Sequence, residues 1–298
     1  SATPAESGMS DVYRINERGF SSDQSKRVEK MNIRCVVENS TPVVHNLDEN
    51  QSANCHLITE PGYYRFDATT LGNGVRGFNV VLSQGNIEQV RIDNAYKPLP
   101  IQRIDVFAWQ GDITSGSSFR TFADGNHTTD EIENACPVKI LDGGRLTDGN
   151  AYYYIPSGDS FVPGNVILAG YDSNDEIVWT WHLWIVPDGV GEEKWGKYIV
   201  LDRNIGATWR PSKASELTQD NHPSSVGFYY QWGRKDPLPM PRKNGNNLYA
   251  PLYRKVNGVW TKETTLASQA AGTIEESVKN PHKYFNRNTN TTGNYWQT

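Results

Sequence analysis

Three carboxylates, Asp202, Glu216 and Asp236, lie among the aromatic residues of the second half of the chain. A carboxylate pair about 5–10 Å apart is what glycoside hydrolysis needs, one group as acid and the other as nucleophile or base. Loop and turn carboxylates account for the same residues without any chemistry. Asp172, Asn174 and Glu176 have the alternate spacing that opens a calcium loop, yet the glycine and distal glutamate of that loop are not in place. A hairpin turn is the expectation there, since Asp and Asn are turn formers. The six histidines show no His-x-x-x-His or His-x-Glu spacing, so a zinc centre is not expected. His182 alone sits in a strongly apolar run and reads as a satisfied core histidine. No Gly-x-Ser-x-Gly elbow occurs, and Gly72-Asn73-Gly74 lacks the Lys-Ser/Thr of a phosphate loop. The motifs point away from an enzyme and imply no metal and no cofactor.

The elements that would carry these residues are strands. Cys55–Thr59, Tyr63–Ala68, Ile104–Trp109, Tyr152–Ile155, Val166–Tyr171 and Ile177–Val186 are β-branched and aromatic runs bounded by Pro, Gly, Asn or Asp. Asp142-Gly143-Gly144 and Asp148-Gly149-Asn150 have the composition of turns that need positive φ. Alternation assigns Ile104, Val106 and Ala108 to one face and Asp105, Phe107 and Trp109 to the other. In the last run, Ile177, Trp179, Trp181, Leu183 and Ile185 share a face opposite Val178, Thr180, His182, Trp184 and Val186. Both faces are apolar, as for a strand covered on both sides. Residues 1–34 read as an arm or linker with a short helix over 22–30, residues 35–188 as a β-sandwich, and residues 195–298 as a second, irregular α+β domain. Thr273-Ile274-Glu275-Glu276 matches a capping box whose helix ends at Asn280, before Pro281.

The 298 residues carry a net charge of −5, which disfavours nucleic acid as a partner. No run approaches the ~18 apolar residues of a membrane-spanning helix. The N-terminus reads as a mature or trimmed start, and the C-terminus, at Asn294-Tyr295-Trp296, as cut from something longer. Cys35, Cys55 and Cys136 leave open one disulfide plus a free thiol, or three buried thiols. Eight of the nine tryptophans lie at or after position 179, so the aromatic weight is in the second half.

One resemblance is specific. Val200–Thr208, with Asp202-Arg203-Asn204-Ile205-Gly206-Ala207, and Gly227–Pro237, with Tyr229-Tyr230-Gln231-Trp232-Gly233-Arg234-Lys235-Asp236, resemble the "major paralogous" domain of Bacteroidetes and Fibrobacter surface proteins. Ser52–His56, Glu60–Phe66 and Pro163–Leu168 running into Trp179–Trp184 resemble other segments of the same proteins. The match is weak over 83–137 and absent over 1–34. It implies a fimbrillin-associated surface protein of fimbrial tip or adhesin type, often a lipoprotein, with a C-type-lectin-like or formylglycine-enzyme-like second domain. It brings no catalytic residues.

The expectation is therefore a mainly β protein with minor α: an N-terminal β-sandwich followed by a lectin-like domain, truncated at its C-terminus or closed differently. Its function would be cell adhesion or fimbrial assembly at the outer-membrane surface or fimbrium, extracellular, anchored through lipid. It would bind a glycan or protein ligand, and neighbouring subunits by strand addition. Exposed loop aromatics Trp209, Trp232, Tyr253 and Trp260, with Arg234 and Asp236, are the expected ligand contacts. The rivals are a glycan-active or protein-modifying enzyme and a purely structural pilus subunit.

Overall fold

The computed structural model describes residues 3–4, 9–16, 19–26, 42–48, 52–69, 73–74, 78–81, 87–90, 99–111, 129–218, 222–231, 234–238, 252–263, 268–269 and 272–285. The protein is mainly β, as its sequence leads one to expect. It divides into two compact units, Ser1–Pro42 and Val43–Thr298.

The first unit contains a three-stranded antiparallel sheet, β1 (Thr3–Pro4), β2 (Met9–Asn16) and β3 (Gly19–Lys26), with Met9 opposite Lys26 and Asn16 opposite Gly19. The helix expected to begin at Ser22 is corrected: residues 22–26 are strand. Cross-strand pairing with β2 overrides a helical pattern with little apolar face.

In the second unit, six strands form one sheet in the order β21 (Val259–Glu263), β20 (Leu252–Val256), β11 (Arg103–Gly111), β14 (Gly164–Tyr171), β15 (Ile177–Ile185) and β6 (Cys55–Ile58). A four-stranded sheet has the order β12 (Lys139–Ile140), β13 (Asn150–Ile155), β7 (Gly62–Asp67) and β4 (Val44–Asn46). Short pairs complete the strands: β5 (Ser52–Ala53) with β8 (Asn73–Gly74), β9 (Phe78–Val81) with β10 (Ile87–Val90), β16 (Glu192–Trp195) with β17 (Tyr198–Leu201), β18 (Tyr229–Tyr230) with β19 (Pro237–Leu238), and β22 (Ser268–Gln269) with β23 (Tyr284–Phe285).

The expected boundary between 188 and 195 is not a boundary of the fold. Residues 43–298 form one unit, and β20 and β21 extend the six-stranded sheet, Ala108 and Trp109 pairing with Arg254 and Tyr253. The free edge of β11 is what captures them; sequence distance is irrelevant to a ladder.

One core cluster draws on both large sheets. Phe66, Tyr64, Tyr153 and Ile155 of the four-stranded sheet pack with Val106, Trp109, Leu168, Trp181, Leu183 and Ile185 of the six-stranded one. Phe66 and Trp181 have ring centroids 4.9 Å apart. The opposite face of the six-stranded sheet carries a smaller cluster, Phe107, Ala108, Ile167, Ala169 and Leu252. β15 is thus covered on both sides, as its composition indicates.

Two β-bulges change the facing of individual residues. One falls between Val106 and Ala108, so Trp109 joins Val106 in the main core while Ala108 sides with Phe107. The other falls where Tyr171 pairs with Ile177 and Gly170 with Trp179, placing Ile177 against the smaller cluster and Val178 against the larger. Strict alternation misassigns Ala108, Trp109, Ile177 and Val178, because an extra residue reverses the period beyond it.

The turns are as their composition demands. Asp148 and Gly149 have φ of 50° and 77°, and Thr147 and Asn150 exchange main-chain hydrogen bonds across them. At Asp172–Glu176 the Asp172 carboxylate accepts from the backbone N–H groups of Asn174 and Glu176. These bonds hold its carboxyl below the usual range and make it a turn former rather than a calcium ligand. Thr273 and Glu276 form the expected capping box on the helix Ile274–Lys279.

Candidate functional site

The outer face of β14 and β15 holds Gly206, Ala207, Phe228, Tyr230, Lys235 and Asp236. Trp184 donates its indole N–H to the Ala207 carbonyl (3.0 Å), and Asn165 donates its amide to the Gly206 carbonyl (2.9 Å). Phe228 N–H bonds to Ile205 O, and the Asn204 amide to Val226 O. Gly227 makes the close approach possible: its φ is 74°, and a Cβ there would lie 2.6 Å from Ile205 O.

This arrangement shapes an open concavity of about 550 Å³ lined by Asn204, Ile205, Leu217, Ser225, Val226, Phe228, Tyr229 and Tyr230. Ile205, Leu217, Tyr229 and Tyr230 are exposed. The β16–β17 hairpin, tied to the same segment by the Arg210–Glu193 ion pair, has Trp195 67% and Ile199 68% exposed and Tyr198, Val200 and Leu201 also in water. Among the described residues fifteen large hydrophobic side chains are exposed, and nine of these fall between 195 and 230. Exposed apolar side chains concentrated in one segment mark an interaction site more often than scattered ones do.

Behind the concavity lies a buried polar chain. Asn165 Oδ1 accepts from His182 Nε2 at 2.8 Å, which leaves Nδ1 as the unprotonated nitrogen. That nitrogen faces Cys55 Sγ at 3.3 Å and the Tyr230 hydroxyl at 3.5 Å. The Phe228 ring meets the imidazole edge-on. The order thiol, imidazole, amide is that of a nucleophile, its base and the group that orients the base. Burial opposes that use: it pushes the Cys55 thiol up to about 12 and the His182 imidazole down to about 3, with His56 adding to the latter. The pair is neutral, and the thiol donates to the ring rather than surrendering its proton. Cys55 and Cys136 are both free thiols.

The expected ligand contacts separate into distinct environments. Arg234 has no exposed side-chain surface. It donates to the carbonyls of Lys283, Ser277, Asn280 and Pro281 and lies over the Phe285 ring, so it closes the C-terminal end of the helix Ile274–Lys279. Asp236 is buried and accepts from Thr180 and Lys235, while Lys235 also sits 4.3 Å from the Trp179 ring. Burial lowers the Lys235 pKa, and Asp236 opposes that shift. The stretch Arg234–Asp236 is a latch holding the chain to β15.

Tyr253 and Trp260 are corrected from exposed loop aromatics to buried residues of β20 and β21, packed in the main core. One side of Trp260 borders a second concavity of about 320 Å³, where Lys255 pairs with Asp105 and Glu133. Trp209 is half-buried, its backbone N–H bonded to Ser224 O. Trp232 lies outside the described residues. Of the carboxylates, Asp202 is held by Arg203 and Arg210, Glu216 accepts from Ser212 N–H, and Asp236 is in the latch. None lines the 550 Å³ concavity. Among the described residues no cluster of His, Cys, Asp or Glu has metal-binding geometry.

Sequence reasoning passed over Tyr229, Tyr230, Leu217 and Ile205 as contacts. The signal was present in the paired tyrosines, but tryptophan density drew attention elsewhere. Among known protein families, curated proteins and solved structures, none matches this chain.

Proposed function

We propose that this chain is a cell-surface adhesion or fimbrial tip or accessory subunit that binds through the surface between residues 195 and 230. The observation that carries the reading is the concentration of exposed aromatic and aliphatic side chains in that segment, four of them lining an open concavity, while most other aromatics of the described residues are buried or half-buried. The two facing sheets act as a β-sandwich scaffold. The lectin-like character of the later residues, the lipid anchor, the fimbrial location and strand addition to neighbouring subunits draw their support from the sequence resemblance. Tyr229 and Tyr230 offer ring faces to a sugar or to a protein side chain, and Asn204 and Ser225 offer polar groups to orient it. The test is a glycan array read with wild type and with Tyr229→Ala and Leu217→Ala variants of unchanged circular dichroism. Binding by wild type that both variants lose supports a glycan site; binding that both retain refutes the concavity as its location.

A second reading, a thiol enzyme, is favoured by the Cys55–His182–Asn165 order alone. It requires rapid alkylation of Cys55 by iodoacetamide at pH 7. The binding reading expects native Cys55 to resist alkylation until the protein is unfolded, because burial keeps the thiol protonated.

A further inference from the structure

We infer that the free edge of β17 is the docking site for a second copy of this chain. Among the described residues β17 pairs only with β16. In a hairpin the amides of successive residues point alternately inward and outward. Trp195 faces Tyr198 across the turn and Asp202 N–H bonds to Gly191 O, so Ile199 and Leu201 direct their N–H and C=O groups away from β16. Sheet edges left open are ordinarily blunted by charge, proline or a bulge. β16 is blunted, with Glu192, Glu193 and Lys194; β17, Tyr198-Ile199-Val200-Leu201, is not.

The occupant must bring an extended strand with apolar side chains on both faces. β17 of a second copy is such a strand, and it is self-complementary about Val200. An antiparallel two-fold pairing sets Ile199 of one copy opposite Leu201 of the other and the two Val200 residues against each other across the axis. The result is a four-stranded sheet whose outer edges are both the charged β16, so the assembly closes at two copies. Trp195, Tyr198, Ile199, Val200 and Leu201 are the five exposed large hydrophobic side chains of the hairpin, against roughly 20–30 residues per side in a standard interface. Edge pairing covers only part of that surface, so the dimer is a modest one, with Kd in the range of about 1–100 μM. The hairpin belongs to the surface proposed above for binding, but ligand binding is tested at Tyr229 and Leu217 of the concavity and self-association at Ile199 and Val200 of the hairpin, so failure of either is told apart from failure of the other.

The test is sedimentation equilibrium from about 1 to 300 μM, a range set to bracket that affinity. Wild type is expected to rise from the 33.5 kDa monomer to twice that mass. Ile199→Lys, with unchanged circular dichroism, is expected to weaken association at least about tenfold. Val259→Lys, exposed on β21 at one edge of the six-stranded sheet, is the control and leaves association unchanged. Val200→Cys is expected to give a disulfide-linked dimer under mild oxidation, which Ile199→Lys in the same chain suppresses. A wild type that stays monomeric overturns the inference. So does association that ignores Ile199→Lys, that runs on to open-ended polymers, or that leaves Val200→Cys uncrosslinked.

Discussion

Two aromatic hairpins of nearly equal size meet opposite fates in this protein. β20 and β21 turn at Asn257 and Gly258, with φ of 50° and 79°; β16 and β17 turn at Gly196, with φ of 61°. Tyr253 and Trp260 in the first are buried at 2% and 6% exposure, whereas Trp195 and Tyr198 in the second are 67% and 62% exposed. The side chains do not explain this. The first hairpin finds the open edge of β11 and the underside of the main core; the second finds, among the described residues, no sheet to join. Burial of a hairpin is decided by whether an edge is available to it, and an isolated two-stranded ribbon left in water is a surface waiting for a partner.

The largest expected effect breaks the buried side of that contrast. Trp260→Ala removes a core indole and is expected to lower stability by about 3–5 kcal/mol, while Trp195→Ala stays within about 0.5 kcal/mol, both read from urea denaturation. Equal costs at the two positions would abolish the distinction. Next is the latch: Asp236→Ala leaves Lys235 without its carboxylate, at a cost of about 2–3 kcal/mol, below the fully buried case because Lys235 keeps some contact with water. A loss no larger than that of a surface substitution would show that the latch holds nothing.

Acid should act on the buried regions and spare the exposed hairpin, which contains no histidine. Burial depresses His182 and His282 to about 3 and His56 to about 4. The unfolded chain therefore binds protons that the folded chain refuses between about pH 6.5 and these values. The stability these neutral rings permit is present above about pH 6.5 and is lost as pH falls through that window. The urea midpoint is expected to drop steadily from pH 7 to pH 4; a midpoint constant over that interval would mean the rings reach water. Smallest is Gly196→Ala, which strains only the hairpin turn, by about 1 kcal/mol, and should alter association without moving the global midpoint.

Much of the scaffold was legible in the sequence. The long strands, the Asp148-Gly149 turn and the Thr273 capping box follow from local rules of period and backbone conformation. The bulges at Phe107 and Val178 were not, because one extra residue in a ladder leaves no compositional mark. Nor was the pairing of β20 with β11, or the meeting of Cys55 with His182 across 127 residues of chain. These depend on which edges and faces remain open after the first strands assemble. The candidate contacts failed for the same reason: Tyr253, Trp260, Arg234 and Asp236 have the composition of a binding loop and the burial of a core.

The central claim is that aromatic surface is exposed between 195 and 230 and buried in the sheets. Limited oxidation of dilute, monomeric protein with N-bromosuccinimide, followed by peptide mass spectrometry, reads it tryptophan by tryptophan. Among the tryptophans of the described residues, the account expects Trp195 to be modified first, with Trp109, Trp181, Trp184 and Trp260 protected until the protein unfolds. Modification of Trp260 as fast as that of Trp195 would contradict it.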